Sequence, residues 1–269
     1  MCSSDLEMPD TPYVQAPYLG TYYYLLNTQR PPVDDVRVRK ALSMAVDRDK
    51  LVRTVLQHTA VPAYSITPPD TLGYYPPKLF DYDPEGARAL LAEAGYPDGE
   101  GWPGIEILYN TQEAHRKIAV AIQQMWKSTL NIDVTISNQE WKVYLDAVTQ
   151  IDFQVARRGW IGDYVDANNF LDMYITGGGN NNTHYSDPVY DDLILYKAPK
   201  AETREERYAL FTEAETMLME EMPIIPIYTY TSKHLVHPSV EGMHSNLMDS
   251  LNLKYVRLVP GRTLPEALR

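Results

Sequence analysis

The chain has 269 residues, with 24 Lys and Arg against 36 Asp and Glu, and 44% of it is hydrophobic. That is enough apolar material for one large domain or two ordinary ones, while a net charge of −12 argues against nucleic acid or an anionic membrane as a partner. Cys2 is the only cysteine, which rules out an internal disulfide and argues against a Cys-based metal site, and no apolar run is long enough to span a bilayer. Tyrosine outnumbers phenylalanine 21 to 4, a bias towards aromatic groups with a polar tip that suit wet clefts as well as cores.

Taken in order, Met1 to Gln15 carry no pattern and read as a tail. Tyr18 to Asn27 is a predicted strand, rich in Tyr with a Leu pair. After Pro31-Pro32, Asp34 or Asp35 caps a helix with Val36, Val38, Ala41, Leu42 and Ala45 apolar, and Asp47 or Asp49 starts a second one. Arg37, Arg39, Lys40, Arg48 and Lys50 read as the solvated face of these helices, since no Gly-rich loop accompanies them to make a phosphate site. Val61 to Pro84 is loop-like; Asp83-Pro84-Glu85 then opens a helix with Pro at its first position, ended by Gly95. Ile105 to Tyr109 is a strand, and Thr111 is expected to cap a helix bearing Ile118, Ala119, Ile122 and Met125. Ile132, Val134 and Ile136 alternate as a strand, Gln139 to Val148 is a helix, and a strand begins at Phe153. This strand–helix–strand–helix–strand rhythm predicts parallel neighbours in an α/β domain.

The stretch Phe153 to Phe170 carries the densest set of candidate ligand groups. Its strand places Phe153, Val155 and Arg157 on one face and Gln154, Ala156 and Arg158 on the other, then meets Gly159-Trp160, a turn at Gly162-Asp163, and a helix start with Asp166 as N-cap. A strand ending in Arg, Trp and Asp just before a helix is where α/β proteins keep ligand groups. Asp163 and Asp166 can be read as an acid/base pair of a hydrolase, but capping accounts for Asp166 without chemistry. Downstream, T-G-G-G-N-N-N-T (Thr176 to Thr183) lacks the Lys of a phosphate loop. Asp187-Pro188 starts a helix, Thr203 to Met222 is a long one, and Pro223 to Tyr228 is a strand whose two prolines place it at an edge or a crossing. His234 and His237 sit in extended chain with no third ligand in view, and Leu253 to Val259 reads as a last strand.

The run Arg157 to Tyr164, R-x-G-W-x-x-D-Y, resembles the corresponding segment of the bacterial oligopeptide-binding proteins, the receptors of peptide ABC importers. Six further stretches resemble that family in its order: Tyr18 to Asn27, Asp35 to Leu42, Leu90 to Tyr96, Leu108 to Thr111, Asn138 to Trp141 and Pro223 to Tyr228. The resemblance implies a binding protein without catalysis or cofactor, capturing short peptides between two hinged lobes and delivering them to permease subunits. It implies that Asp163 pairs with the peptide's α-amino group and that Trp160 walls a side-chain pocket. Arg157 and His115, with Asn110 beside them as a weaker candidate, would face the cleft, the two basic residues offering positive charge to the peptide carboxylate. On ordinary burial tendencies alone His115 would face solvent. The family can carry a basic residue where this chain has Val148, which leaves peptide length open. A non-peptide ligand of the same family, such as a nickel chelate or a sugar, is the alternative.

The expected architecture is the C-terminal lobe of a two-lobed periplasmic-binding-protein-like fold, with residues 16–231 as the α/β lobe, 1–15 a tail and 232–269 a return to an N-terminal lobe that this chain lacks. The full-length protein is expected in the periplasm, or outside the cell on a lipid anchor. Met1 to Leu6 are expected to be foreign, because codons for Cys-Ser-Ser-Asp-Leu can spell the end of a sequencing adapter.

Overall fold

The computed structural model describes residues 13–262. Its centre is a six-stranded mixed sheet in the order β2-β6-β1-β5-β3-β4. The long strand β1 (Tyr13–Leu26) lies between β5 (Val155–Ile161) and β6 (Ile224–Leu235), antiparallel to both. β3 (Ile105–Asn110) runs parallel to β4 (Val134–Gln139) and to β5. β2 (Ala60–Pro62) flanks β6. The predicted parallel trio is thus present, joined by α4 (Glu113–Leu130) and α5 (Trp141–Thr149).

Alternation along β1 divides the core. Tyr22, Tyr24 and Leu26 point to one face, where they pack with α4, α1 (Val36–Met44), α2 (Arg48–Thr54) and α3 (Pro84–Glu93). Tyr23 and Leu25 point to the other, with α5, α6 (Asn168–Leu171), α7 (Pro188–Asp192) and α8 (Arg204–Glu221). The result is a sheet covered by helices on both sides. Phe153 precedes the regular strand and joins the cluster of Ala156, not the face of Val155.

Most helix starts follow their local signal. Asp35, Asp47, Asp83 and Asp187 each accept backbone N–H groups in the first turn, and Thr203 accepts Glu206 N at 3.1 Å. Thr111 departs from expectation: its hydroxyl donates to Gln139 O and accepts from Asn138 Nδ2, tying β3 to β4, so α4 begins without a side-chain cap.

The charge run is also corrected. Arg39 and Arg48 are only 4% and 2% exposed. Arg39 donates to the carbonyls of Val33, Asp34 and Glu221; Arg48 donates to those of Ser43, Val46 and Pro226, and to Ser43 Oγ. A guanidinium carries five donors in a fixed fork, and here carbonyls left over at helix and strand ends satisfy them. Pro226 sits where the β1–β6 ladder slips, inside the sheet and not at its edge, and Arg48 covers its carbonyl.

Tyr13 to Gln15, read above as tail, belong to β1, and the first twelve residues lie outside the described ones, as does the expectation about Met1 to Leu6. Beyond the sheet, β1 and β6 continue as a two-stranded ribbon, Tyr13 opposite Leu235 through Pro17 opposite Thr231. The expected strand Leu253 to Val259 is mostly absent. Asn252 caps a single 3₁₀ turn at Leu253–Tyr255, and only β8 (Arg257–Leu258) pairs, with β7 (Val240–Glu241). Leu235, Leu253, Tyr255 and Leu258 are exposed there.

Candidate ligand-binding site

Because β3, β4 and β5 are parallel, Asn110, Gln139 and Ile161 end at the same edge of the sheet, the position at which open α/β sheets bind ligands. β5 is paired to β1 along its whole length, but to β3 only at Val155 and Ala156. Gly162 N donates to Leu19 O, so even-numbered residues of this stretch turn their backbone groups to β1 and odd-numbered ones turn away. The outward Arg157 carbonyl is taken by the Tyr144 hydroxyl. Past it, Gly159 and Ile161 present backbone groups on a side where no strand pairs among the described residues. Gly159 fits closely under Tyr230: a Cβ there would stand 2.6 Å from Tyr230 Oη and displace that hydroxyl.

On the face of Tyr22, the sheet assembles an aromatic nest around Arg157. Tyr22 stacks on Tyr228 at 4.7 Å, and Tyr228 meets Tyr230 edge-on at 5.2 Å. The Arg157 guanidinium lies 4.8 Å from the Tyr22 ring centre and donates to Asn110 Oδ1 at 3.3 Å and Tyr230 Oη at 3.4 Å. Its Nε is buried without a partner, and no carboxylate pairs with it among the described residues. Arg157 and Asn110 are therefore brought together. His115 joins them through Tyr22, whose hydroxyl is 3.4 Å from Nδ1, but not as a cation. It is buried, and burial, assisted by the Arg157 charge, lowers its pKa to about 4. The expected positive charge at His115 is corrected to a neutral imidazole.

Trp160 and Asp163 lie apart from this nest. Trp160 pairs with Thr21 and points to the opposite face, and Asp163 follows on an exposed turn. What joins the two is Asn169, 4% exposed, whose Oδ1 accepts Trp160 Nε1 at 2.9 Å and Asp163 N at 3.1 Å. The turn is braced again at Asp166. Its carboxylate accepts Asn168 N at 2.8 Å and is gripped by Arg207 at 2.5 and 3.0 Å, but the N-cap of the short helix is Ala167, so the expected capping role of Asp166 is corrected to a brace one residue ahead of the helix. Asp166 is thus fully engaged, which leaves an acid/base pair with Asp163 short of one free carboxylate. The Asp163 carboxylate itself has no hydrogen-bond donor among the described residues. Nearby Asp172 has its pKa raised by burial and by the charges of Asp163 and Asp166, so the rim is electronegative. A cavity of ≈ 400 Å³ opens behind it, lined by Asn168, Asp172, Ile175, Ile194 and Leu195 among others.

Asn169 escaped the reading of the sequence, although it stands at N-N-F just inside the predicted helix start, where a buried amide has to be satisfied. His234 and His237 are separately engaged, with Asp249 and Ser239. Among the described residues no group of three or more His, Cys, Asp or Glu could hold a metal, and no helix is long and apolar enough to cross a membrane.

Comparison with known proteins places this geometry. The periplasmic oligopeptide-binding protein OppA of Escherichia coli K12 is 40% identical over 257 residues, covering 93% of this chain and 46% of that protein. The unliganded open form of MppA, a periplasmic murein tripeptide-binding protein, superimposes with a TM-score of 0.86 at 38% identity, over 94% of this chain and 50% of that one. OppA of Haemophilus influenzae in complex with RPPGFSPFR superimposes at 0.80 with 34% identity, over 92% and 50%. The chain therefore spans about half the length of the relatives it matches. Residues 4–182 match the family described as bacterial extracellular solute-binding proteins, family 5 Middle, and it is to these solute-binding proteins that the chain belongs.

Proposed function

We propose that this chain is the C-terminal, peptide-binding lobe of an ABC importer's substrate-binding component, working in the periplasm or at the outer cell surface and handing short peptides to permease subunits. The carrying observation is the free side of β5, which ends in an unpaired carboxylate. A peptide lying antiparallel along Gly159 and Ile161 would pair its backbone there, place its α-ammonium at Asp163 and run its carboxyl end towards Arg157. Such pairing matters because unpartnered amides and charges cost several kcal/mol each to bury, on the order of the harsher transfer scales. Trp160 would wall a side-chain pocket at the amine end. Asn110 would position Arg157 directly, and the neutral His115 would do so through Tyr22.

The lobe in this reading is residues 16–231, and 232–269 return to a second lobe. Support comes from the β1–β6 ribbon leaving the sheet and from the exposed apolar residues beyond it. The test uses a protein restored to the length of its relatives, with peptide binding followed by calorimetry. Stranding one charge of a desolvated pair costs about 3–5 kcal/mol, so Asp163→Asn is expected to weaken a free peptide at least roughly a hundredfold and an N-acetylated one far less. Equal losses for both peptides would refute the assignment.

A further inference from the structure

We infer that Asn169 is a positioning residue which holds the amine anchor and the side-chain wall in one fixed relation; this rests on the reading of Asp163 given above. One atom, Oδ1, receives both the Trp160 indole and the Asp163 amide, at 2.9 and 3.1 Å. Neither donor has another acceptor among the described residues. The acceptor is itself immobilised. Asn169 is buried, its own N–H donates to Asp166 O, and Asp166 is clamped by Arg207, so the fixed point is anchored to α8 across the packed layer. Gly162, between the two donors, leaves no room for a side chain: a Cβ there would fall 2.6 Å from Leu19 and 3.4 Å from Asn169 Oδ1.

The consequence is a coupling. If the indole rotates, the acceptor it shares with Asp163 must move or lose a bond, and the turn carrying the exposed carboxylate follows. Discrimination between a first residue that suits the Trp160 wall and one that does not would then be felt at the ammonium site, although among the described residues Trp160 and Asp163 share no hydrogen bond of their own. A purely structural Asn169 would contribute stability and nothing to this relation.

The tests use the protein restored to two lobes. Replacing Asn169 with Leu keeps the volume and removes the acceptor, leaving two donors unsatisfied, and should weaken a free peptide roughly tenfold. The Trp160 indole and Asp163 amide proton resonances should move upfield together. Asn169→Asp, which keeps an acceptor oxygen in place, should return both resonances and bring affinity within about threefold of the parent. Should Asn169→Leu fail to fold, Trp160→Phe removes one of the two donors, and the Asp163 amide resonance must shift. An unmoved amide, a single resonance moving in Asn169→Leu, or parental affinity in that variant would each overturn the inference. A parent that binds free and N-acetylated peptide equally would instead overturn the ammonium assignment itself. A parent that discriminates, with an Asn169→Leu variant discriminating just as well, overturns the positioning role alone.

Discussion

On one face of β5, Arg157 keeps its charge among phenol rings, an amide and a neutral imidazole, with one N–H unanswered. Past the strand's end, Asp163 stands in solvent on a turn fixed from beneath by Asn169 and Asp166. The cation is held by its side chain and the anion by its backbone. This difference teaches where each can be perturbed: Arg157 through any of the neutral groups it touches, Asp163 through residues that never touch its carboxylate.

If Arg157 serves the carboxyl end, the sharpest way to break the comparison after Asp163→Asn is Arg157→Met. Loss of a charge-assisted hydrogen bond, about 1.5–3 kcal/mol, should cost a peptide with a free carboxylate roughly ten- to a hundredfold. A C-terminally amidated peptide should lose much less, and titration calorimetry with the pair of peptides reads the difference. Equal losses would return Arg157 to the role of a packing cation.

Next in size is a pH effect on stability. His115 has a folded pKa of about 4 against an ordinary 6.5. The unfolded chain therefore binds the extra proton first, so this contribution is complete above about pH 6.5 and is lost as pH falls towards 4. Glu215 acts in the opposite sense. It is fully buried on α8, accepting Thr67 N and the Tyr74 hydroxyl, and burial raises its pKa to about 7. The folded state holds its proton longer, so its contribution is present below about pH 4.5 and lost as pH rises through 7. His115→Gln should flatten the rise of melting temperature between pH 4 and 6.5, and Glu215→Gln the opposing trend. A His115→Gln profile parallel to the parent's would mean the imidazole is solvated.

The smallest effect belongs to Asp166→Asn. Asn can still accept Asn168 N, but the ion pair with the half-buried Arg207 is lost, for about 1 kcal/mol of stability. Because Asn169 N keeps its bond to the Asp166 carbonyl, peptide affinity should stay within about threefold of the parent, or about 0.7 kcal/mol. A loss rivalling that of Asp163→Asn would move the anchor to Asp166.

The elements legible in the sequence were those whose cause is local. Asp35, Asp47, Asp83 and Asp187 cap helices three or fewer residues away, and the β3–α4–β4–α5–β5 rhythm needs only periodicity. What escaped was decided across the sheet. Arg39 and Arg48 carry the same side chain as Arg37, yet carbonyls of Glu221 and Pro226 draw them inside. His115 became neutral because it is buried, packed against Tyr22 from a strand far earlier in the chain, with the Arg157 charge adding to the effect. Glu215 sits on an otherwise apolar helix face because two donors from the loop after β2 reach it. At the candidate site, resemblance named the charged residues, whereas the shared acceptor of Asn169 became visible only with the turn folded.

The ribbon formed by Tyr13–Pro17 and Thr231–Leu235 has a mechanical consequence. Between Pro17 and Thr21 the ladder to β6 slips, while on the other side of β1 Leu19 is bonded to Leu247 and Gly162. The outer pairs are thus joined to the stiff sheet through a short length of lower torsional rigidity. A two-stranded ribbon twists far more readily than it stretches, since stretching works against every covalent bond while twisting redistributes a few backbone dihedrals. A torque delivered at Tyr13 and Leu235 would be absorbed at that slip, and the sheet, with Arg157 on β5 and Asp163 on the turn after it, would rotate as one body without losing register.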